Sequence, residues 1–456
     1  MKGIISYLEK HFVPVAAKIG AQRHLVAIRD GFVAIMPLII AGSMAVLINN
    51  MNIPGYQNLI GAIFGDSWRG FGGNIWWGTF AIMSIFIAFT VAYNLAKSYD
   101  VNPLSAGVLS LANYFMFIPQ AINVTIGDTV GDIAVPAELV GQQIGAWGNI
   151  SWSYTNATAL FGALLIAIVS TEIFVKLSKT DKLTIKMPDN VPPAVSKSFA
   201  ALFPTLITIS VGALLALFIS FTNTDLFTVI TATIQQPVSR VGNTMGAAIL
   251  ISFMNHLLWF FGLHGSNIIE PVMQSIYVPA VIANADAVAA GLKPTFIVTK
   301  AFFDAFVYMG GSGTTTCLIA AIYAASKRKH YRSLANLSVG PGLFNINESM
   351  IFGIPLVLNP VFVVPFILAP VALTIISYIA TAIGLVPYTI AAIPWVTPPI
   401  IGGFLATGGS IMGALLSAVN LVVGFLIYMP FVLMAEKLED KAGSNAELSA
   451  GNTKSM

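Results

Sequence analysis

The polar residues Asn345, Asn347 and Glu348 stand at the beginning of an otherwise apolar stretch, FNINESMIFGIPLVLNP. A carboxylate inside a membrane is costly when it faces lipid, and such groups usually face a cavity and serve a function. The Gly-Pro-Gly sequence at 340–342 is expected to prevent a continuous helix through this region, and either asparagine can cap a new helix that begins here. Glu348 would then occupy the first turn, where the positive helix end stabilises its charge. A capping glutamate at the membrane surface is the alternative interpretation.

Two further polar stretches lie after residue 250. In NHLLWFFGLHGSN, His264 stands between two glycines and Asn267 follows it. In MGGSGTTTCLI, Gly311 and Ser312 belong to a glycine-rich motif. Glycines let the backbone turn and bring its polar groups towards a ligand. The alternatives are that His264 is a capping or interfacial histidine, and that the glycines only allow close helix packing.

The fourth stretch, IPWVTPPIIGGFLATGG, places Trp395 among prolines and glycines. An interfacial belt position is the commonest role of a membrane tryptophan. Together, however, the four stretches offer a carboxylate, an imidazole, several amides and an indole. A sugar needs such a set, because its hydroxyls bond to Glu, Asn and His while its apolar ring face lies on an aromatic ring. Buried polar groups must be paired, so such a site would distinguish one hydroxyl from its absence.

The sequence offers little for metal binding or covalent catalysis. Its one cysteine, Cys317, excludes an internal disulfide and a cysteine-based metal cluster. No HExxH or GxSxG pattern appears. We therefore expect no metal, no cofactor and no catalytic residue, which disfavours an intramembrane enzyme. The net charge of +3 gives no reason to expect nucleic acid as a partner.

The composition indicates a membrane protein. The 456 residues are 56% hydrophobic and 9% charged, whereas soluble domains carry about 25% charged residues. A chain with so few charges cannot cover a water-facing surface. We predict an all-α polytopic membrane protein with about ten transmembrane helices, re-entrant hairpins and an N-terminal amphipathic helix.

Apolar stretches of about 20 residues, the length that spans a bilayer as a helix, mark the candidate spans. They occur at 31–49, 76–96, 103–120, 157–175, 199–221, 245–262, 302–325, 357–384 and 411–434. The segments 268–290 and 388–407 are apolar but interrupted by Pro, Gly, Asn or Asp. Such pieces are typical of re-entrant hairpins or unwound helices that are buried in protein or line a cavity.

Basic residues set the orientation of a membrane protein. They cluster before the first span and in the loops 176–197 and 327–332, while the loop 123–153 carries Asp128, Asp132 and Glu138. We predict that both termini and the basic loops are cytoplasmic and that the acidic loop is external. The predicted division is an amphipathic segment (1–30), a helical scaffold half (31–222), an irregular half that builds the site (223–434) and a polar tail (435–456).

The motifs HGSN, GGSGTT, NINESMIFGIPLVLNP and PWVTPP resemble the membrane subunit, component IIC, of bacterial phosphoenolpyruvate-dependent sugar phosphotransferase systems, within the lactose/cellobiose/diacetylchitobiose family. The resemblance covers nearly the whole chain. It implies a permease in the bacterial inner membrane and a homodimer whose interface comes mostly from the first half. A disaccharide would be held in the second half and phosphorylated at a 6-hydroxyl by a phosphocysteine on a separate IIB protein.

By the same resemblance, Glu348 and His264 would lie near that hydroxyl and Trp395 would stack on the sugar. Further substrate contacts would be Asn267, Asn347, Gly311 and Ser312. The sequence carries no IIB motif, so the chain would position the sugar rather than phosphorylate it. The alternative function is a proton-coupled disaccharide symporter, with the glutamate and the histidine as proton relay. The residues leave open whether lactose, cellobiose or diacetylchitobiose is carried.

Overall fold

The structure is a computed structural model that describes residues 2–51, 55–125, 129–130, 133–134, 138, 140–185, 187–188, 191–222, 224–354, 356, 359 and 361–453. Within these residues the chain is predominantly helical, which confirms the predicted fold class. Two antiparallel ribbons interrupt the helices: β1 (Ala121–Thr125) pairs with β4 (Gln143–Trp147), and β2 (Thr129–Val130) with β3 (Ile133–Ala134). Asp128 and Asp132 of the predicted external loop lie outside the described residues.

The helices before residue 243 are α1 (Lys2–Gly20), α2 (Arg23–Asn50), α3 (Tyr56–Phe64), α4 (Arg69–Thr79), α5 (Met83–Ser98), α6 (Pro103–Met116), α7 (Leu160–Ser178), α8 (Pro193–Ala200), α9 (Leu202–Ser220), α10 (Leu226–Ile230) and α11 (Gln236–Gly242). Those after it are α12 (Met245–Phe260), α13 (Gly265–Val272), α14 (Val278–Ala289), α15 (Lys300–Phe306), α16 (Thr315–Ala325), α17 (Lys329–Leu343), α18 (Glu348–Gly353), α19 (Val363–Ala382), α20 (Ile401–Ala406) and α21 (Ile411–Thr453).

Several of these helical runs are long and apolar enough to cross a membrane. In the described residues there are seven: Arg23–Asn50, Arg69–Ser98, Ala157–Ser178, Leu202–Ser220, Gly265–Ala289, Val363–Ala382 and Ile411–Leu438. An eighth span results if Leu226–Gly242 and Met245–Phe260, which are bent by 76°, are counted as one. The chain is therefore a multi-pass membrane protein, and the total of about ten spans stays a prediction.

The segment 268–290, which we predicted to be broken, is instead a nearly continuous helical run. Pro279 occupies the first turn of α14, where a helix requires no backbone N–H. A π turn, Met273–Tyr277, joins α13 to α14 and accommodates an additional residue without ending the helix. The interruptions seen in the sequence therefore change the helical path but do not unwind it.

The predicted span 302–325 is divided, because a turn at 307–314 separates α15 from α16. Three glycines of this turn, Gly310, Gly311 and Gly313, have φ angles of 84°, 86° and 82°, a region that glycine adopts readily and other residues avoid. The segment 388–407, in contrast, is non-helical as far as α20, as predicted. The turn at 307–314 comes after α15, and the non-helical segment at 388–400 comes after α19. The apolar composition of the sequence before each of them predicts helix.

The predicted N-terminal helix is α1. It packs on α13, where a Cβ added at Gly20 would lie 2.7 Å from Ile268 Cγ1. Val15 and Ile19 of α1 remain exposed. Exposed apolar side chains on a helix that precedes the first span are typical of a segment lying along a membrane surface.

The chain forms two compact units. One comprises Val26–Pro37 and Trp77–Val238; the other comprises Met1–Leu25, Leu38–Trp76 and Ser239–Met456. The functional division of the chain at 31–222 and 223–434 stays a prediction.

Small residues allow close helix packing in the unit that contains α5, α6 and α7. A Cβ added at Gly107 would lie 2.6 Å from the Phe89 ring, and one added at Gly162 would lie 2.5 Å from the Phe227 ring. The Ser110 hydroxyl donates to the Ala88 carbonyl at 2.7 Å. Close approach through small residues and hydroxyl hydrogen bonds is the usual way to pack membrane helices.

The other unit combines long helices with extended segments, whose backbone groups need partners from elsewhere. Asn284, fully buried on α14, supplies four hydrogen bonds to two of these segments. Its Oδ1 accepts from the amides of Thr295 (3.1 Å) and Phe296 (3.0 Å), and its Nδ2 donates to the carbonyls of Phe296 (2.7 Å) and Thr389 (3.0 Å). One side chain thereby uses its whole hydrogen-bonding capacity.

We expect Asn284→Ala to destabilise the protein strongly. Leaving one buried polar group unpaired costs about 1–3 kcal/mol, and this change leaves several unpaired at once. The melting temperature in detergent should fall by several degrees. Asn94→Ala is the matched control, because Asn94 Nδ2 donates only to Thr90 O in its own helix. Equal melting temperatures for the two variants would contradict the assigned role.

Candidate functional site

Asn345 connects three chain segments at the candidate site. Its Oδ1 accepts from the Gly310 amide at 2.6 Å. Its Nδ2 donates to the carbonyls of Trp395 at 2.6 Å and Thr397 at 2.9 Å. Asn345 itself has φ 63°, in the left-handed region that Asn enters more readily than most residues. The three polar stretches around residues 310, 345 and 395 are therefore brought together by one buried amide.

Asn347 makes a second connection between the same segments. Its Nδ2 donates to the Ser312 carbonyl at 2.5 Å. Helix α18 begins at Glu348, so the predicted helix start with the glutamate in its first turn is confirmed. The predicted side-chain cap is not formed: Asn347 occupies the N-cap position without capping. The Asn347 amide group bonds to the glycine turn instead, and both donors of the Asn345 amide group are likewise used by backbone carbonyls.

The glycines at 310–313 serve both the turn and the close approach of neighbouring backbone. A Cβ added at Gly311 would lie 2.6 Å from the Asn345 carbonyl oxygen and 2.7 Å from Asn347 Cγ. Ser312 Oγ lies 2.9 Å from Ser266 Oγ at the start of α13. The Ser266 hydroxyl in turn lies 3.3 Å from Asn255 Oδ1. The turn is thus joined to the polar stretch 255–267 as well.

His264 caps α13, as one of the two interpretations of this residue predicted. Its Nδ1 accepts from the Asn267 amide at 3.2 Å, and its ring centroid lies 4.3 Å from that of Trp259. Desolvation lowers the pKa of His264, whereas the nearby Glu348 carboxylate acts in the opposite direction. The histidine and the glutamate are therefore close enough to interact, although 84 positions separate them in the sequence.

The site separates accessible side chains from buried ones. Glu348, His264, Asn267 and Trp395 are exposed, Trp395 by 49%. Asn347 and Ser312, predicted as substrate contacts, are instead 4% and 7% exposed and hold the framework. Their direct contact with a substrate, like that of Gly311, stays a prediction.

Sequence reasoning passed over several residues that build this site. From the sequence, Asn345 is considered only as a helix cap, and Ser266 and Asn255 are not singled out, although both belong to NHLLWFFGLHGSN. Their signal was present as polar residues within apolar sequence, but their partners lie 35 or more positions away or on another helix. In the described part of the chain, no group of three or more His, Cys, Asp and Glu side chains could hold a metal.

Comparison with known proteins places this arrangement in a family context. Residues 29–370 match the family described as Phosphotransferase system, EIIC. The lichenan permease IIC component of Bacillus subtilis (strain 168) is 39% identical over 98% of this chain and 97% of that protein. The cellobiose-specific EIIC component of Geobacillus stearothermophilus is 37% identical over 100% of both. The crystal structure of ChbC, the IIC component of an N,N′-diacetylchitobiose-specific phosphotransferase system, matches with TM-score 0.89 and 38% identity over 96% of this chain and 99% of that chain.

We expect Asn345→Ala to loosen the glycine turn and the Trp395 segment together. The change removes three hydrogen bonds and leaves the Gly310 amide and two carbonyls without their partner. Hydrogen–deuterium exchange should accelerate in peptides covering 307–314 and 393–400. Asn336→Ala is the control, since among the described residues its side chain makes one hydrogen bond, which Oδ1 accepts from the Tyr323 hydroxyl. Acceleration in just one of the two peptides would argue against a shared connection.

Proposed function

Since the chain belongs to the EIIC family of phosphotransferase systems, we propose that it carries a β-linked disaccharide across the bacterial cell membrane and presents it to IIB for phosphorylation. As a member of that family it is a multi-pass membrane component of sugar transport, with a sugar as substrate and a IIB protein as partner. Our proposal adds the disaccharide class, the residues that bind the sugar and the way in which the sugar is presented to IIB.

The observation that carries the proposal is the gathering of Glu348, His264 and Trp395 around one set of buried amide connections. These three side chains are accessible, and they combine a charged acceptor, an imidazole and an aromatic face. That combination suits a sugar hydroxyl beside a sugar ring. The names of the similar proteins, which refer to lichenan, cellobiose and N,N′-diacetylchitobiose, support a β-linked substrate.

Glu348 and His264 act as positioning groups in this proposal. The carboxylate accepts a hydrogen bond from the 6-hydroxyl, and the imidazole, whose pKa is lowered by desolvation, orients the same hydroxyl. Holding a nucleophile in line with its target converts a bimolecular step into an effectively unimolecular one. Trp395 stacks on the ring, while Asn267, Asn347, Gly311 and Ser312 complete the site as contacts or supports.

The phosphoryl group comes from a cysteine of IIB. Cys317 of this chain is 1% exposed and its Sγ donates to the Leu421 carbonyl at 3.3 Å, so it is not available for transfer. We further propose cytoplasmic termini and a homodimer formed mainly by the first half. Exposed apolar side chains along α9, including Leu214 and Phe218, support an apolar contact with lipid or with a second copy.

We expect Glu348→Gln to weaken disaccharide binding by roughly one to two decades, because hydrogen bonds to a charged group contribute about 1.5–3 kcal/mol. Calorimetry on purified protein with cellobiose, N,N′-diacetylchitobiose and lactose provides the measurement. If the variant binds the recognised sugar as tightly as the wild type does, Glu348 is a helix-cap residue and not a substrate contact. Uptake assays add a second criterion: delivery of free sugar that stops when the proton gradient collapses would favour the symporter.

Basic residues cluster at 327–332, between the end of α16 and the first turn of α17. Arg332 Nε donates to the Ser326 carbonyl at 2.7 Å, so this arginine supports the end of α16. Lys327 and Lys329 are exposed and suit electrostatic docking of an anionic phosphorylated partner. Replacing both by Gln should slow sugar phosphorylation at low salt and leave sugar binding unchanged.

Lys293→Gln, outside both basic loops, is the control for that charge removal. The wild-type rate should also fall as salt is raised, whereas the rate of the double variant should depend less on salt. If the phosphorylation rate of the double variant is unaltered, Lys327 and Lys329 have no role in docking IIB, and their charges serve only to orient the chain in the membrane. Labelling of a cysteine placed at Ser326 from the outside would overturn the proposed orientation.

A further inference from the structure

A row of polar side chains runs along one face of the helical run that His264 caps. Ser266 and Glu270 are four residues apart on α13, so they lie on the same face, and Gln274 follows four residues later. Ser266 contacts Ser312 of the glycine turn. Glu270 Oε1 accepts from Gln274 Nε2 at 2.5 Å. The row therefore leads from the candidate site into the interior of the same unit.

An ion pair on α15 faces this row. Lys300 Nζ lies 2.6 and 2.8 Å from the two carboxylate oxygens of Asp304, and their side chains are only 16% and 7% exposed. Glu270 interacts electrostatically with both of them. The cluster thus contains one basic and two acidic side chains. Among the described residues, both close contacts of Lys300 go to Asp304, and no cation lies within ion-pair distance of Glu270.

Charged groups at membrane depth are costly and usually mark a substrate pathway. Glu270 is only half-buried. No described residue donates to its Oε2. One carboxylate oxygen is therefore available to accept a hydrogen bond from something that enters the unit.

Two further polar groups lie beside this cluster. Tyr308 interacts electrostatically with Glu270, and its side chain is hydrogen-bonded to that of Asn255. Asn255 is completely buried, and native interiors pair nearly all such polar groups. Tyr308 and Asn255 are therefore each other's partner, and Glu270 Oε2 remains an acceptor without a donor among the described residues.

We propose that Glu270, held in place by Gln274 and by the charge of Lys300, accepts a hydrogen bond from a hydroxyl of the second sugar ring. This inference rests on the proposed function, because it takes the first ring to lie at Glu348 and His264. From Ser266 to Glu270 the helix rises about 6 Å, a distance comparable to the step from one ring of a disaccharide to the next.

The test compares a disaccharide with its monosaccharide. Binding of cellobiose and of glucose is measured by calorimetry on the purified full chain in four forms: wild type, Glu270→Gln, Glu348→Gln and Asp286→Asn. Asp286 is a matched control, because it is a carboxylate of the same helical run that accepts from Trp76 Nε1 at 2.8 Å, away from the cluster. Glu270→Asp keeps the carboxylate but shortens the side chain by one methylene. It replaces Glu270→Gln in the comparison if that variant does not fold.

Glu270→Gln should weaken cellobiose binding about ten- to a hundredfold and leave glucose binding unchanged, while Glu348→Gln weakens both. Glu270→Asp should weaken cellobiose binding to a smaller extent, and Asp286→Asn should leave both affinities unchanged. Unchanged cellobiose binding in the Glu270 variants, or equal losses for the two sugars, would overturn the inference and leave the proposed function intact. Sodium- or proton-dependent binding that disappears in Glu270→Gln would assign the carboxylate to cation coupling and overturn it too. If the wild type binds no sugar, or Glu348→Gln changes nothing, the proposed function itself fails.

Discussion

The unwound backbone of this protein depends on hydrogen bonds from asparagine side chains. Inside a membrane every peptide group must be paired, and extended segments cannot pair their own. Asn284 and Asn345 supply the missing donors and acceptors for three separate segments. An amide suits this purpose because it offers two donors and one double acceptor without a charge. The asparagines thereby pair backbone groups of the extended segments that carry the glycine turn and Trp395.

The same constraint divides the polar side chains of the site into buried ones that pair the backbone and accessible ones that can contact a ligand. A buried amide whose bonds are all used by the backbone has none left for a ligand, and the side chains that it positions carry the free capacity. Asn345 is 6% exposed, whereas Trp395, whose carbonyl it holds, is 49% exposed. A single motif, NINES, therefore contains a structural asparagine and an accessible glutamate three residues apart. This arrangement fixes the accessible groups relative to one another without requiring them to contact each other.

Composition and polar outliers were sufficient to predict the membrane class, the helical fold and the four stretches that meet at the site. They were insufficient where an outcome depends on distant partners. Lys300 and Asp304 look like the polar end of an apolar helix until Glu270, 30 positions earlier, is seen to interact with them. Asn345 could be assigned to a cap because nothing local reveals that its amide bonds across 50 residues to Trp395. Likewise, prolines and polar residues in 268–290 indicate a break, and only the π turn explains why the helix continues.

That π turn also changes the angular register of the helical run. A bulge of this kind places one more residue in a turn than the α-helix does, and each α-helical residue advances the helix by about 100°. The face that carries Ser266 and Glu270 is therefore rotated relative to the face that an uninterrupted α-helix would present over α14. Residues before and after Met273–Tyr277 cannot be placed on one helical wheel. Deleting one residue within this turn would act as a rotation, turning the polar row away from Ser312 while changing the length of the span by only about 1.5 Å.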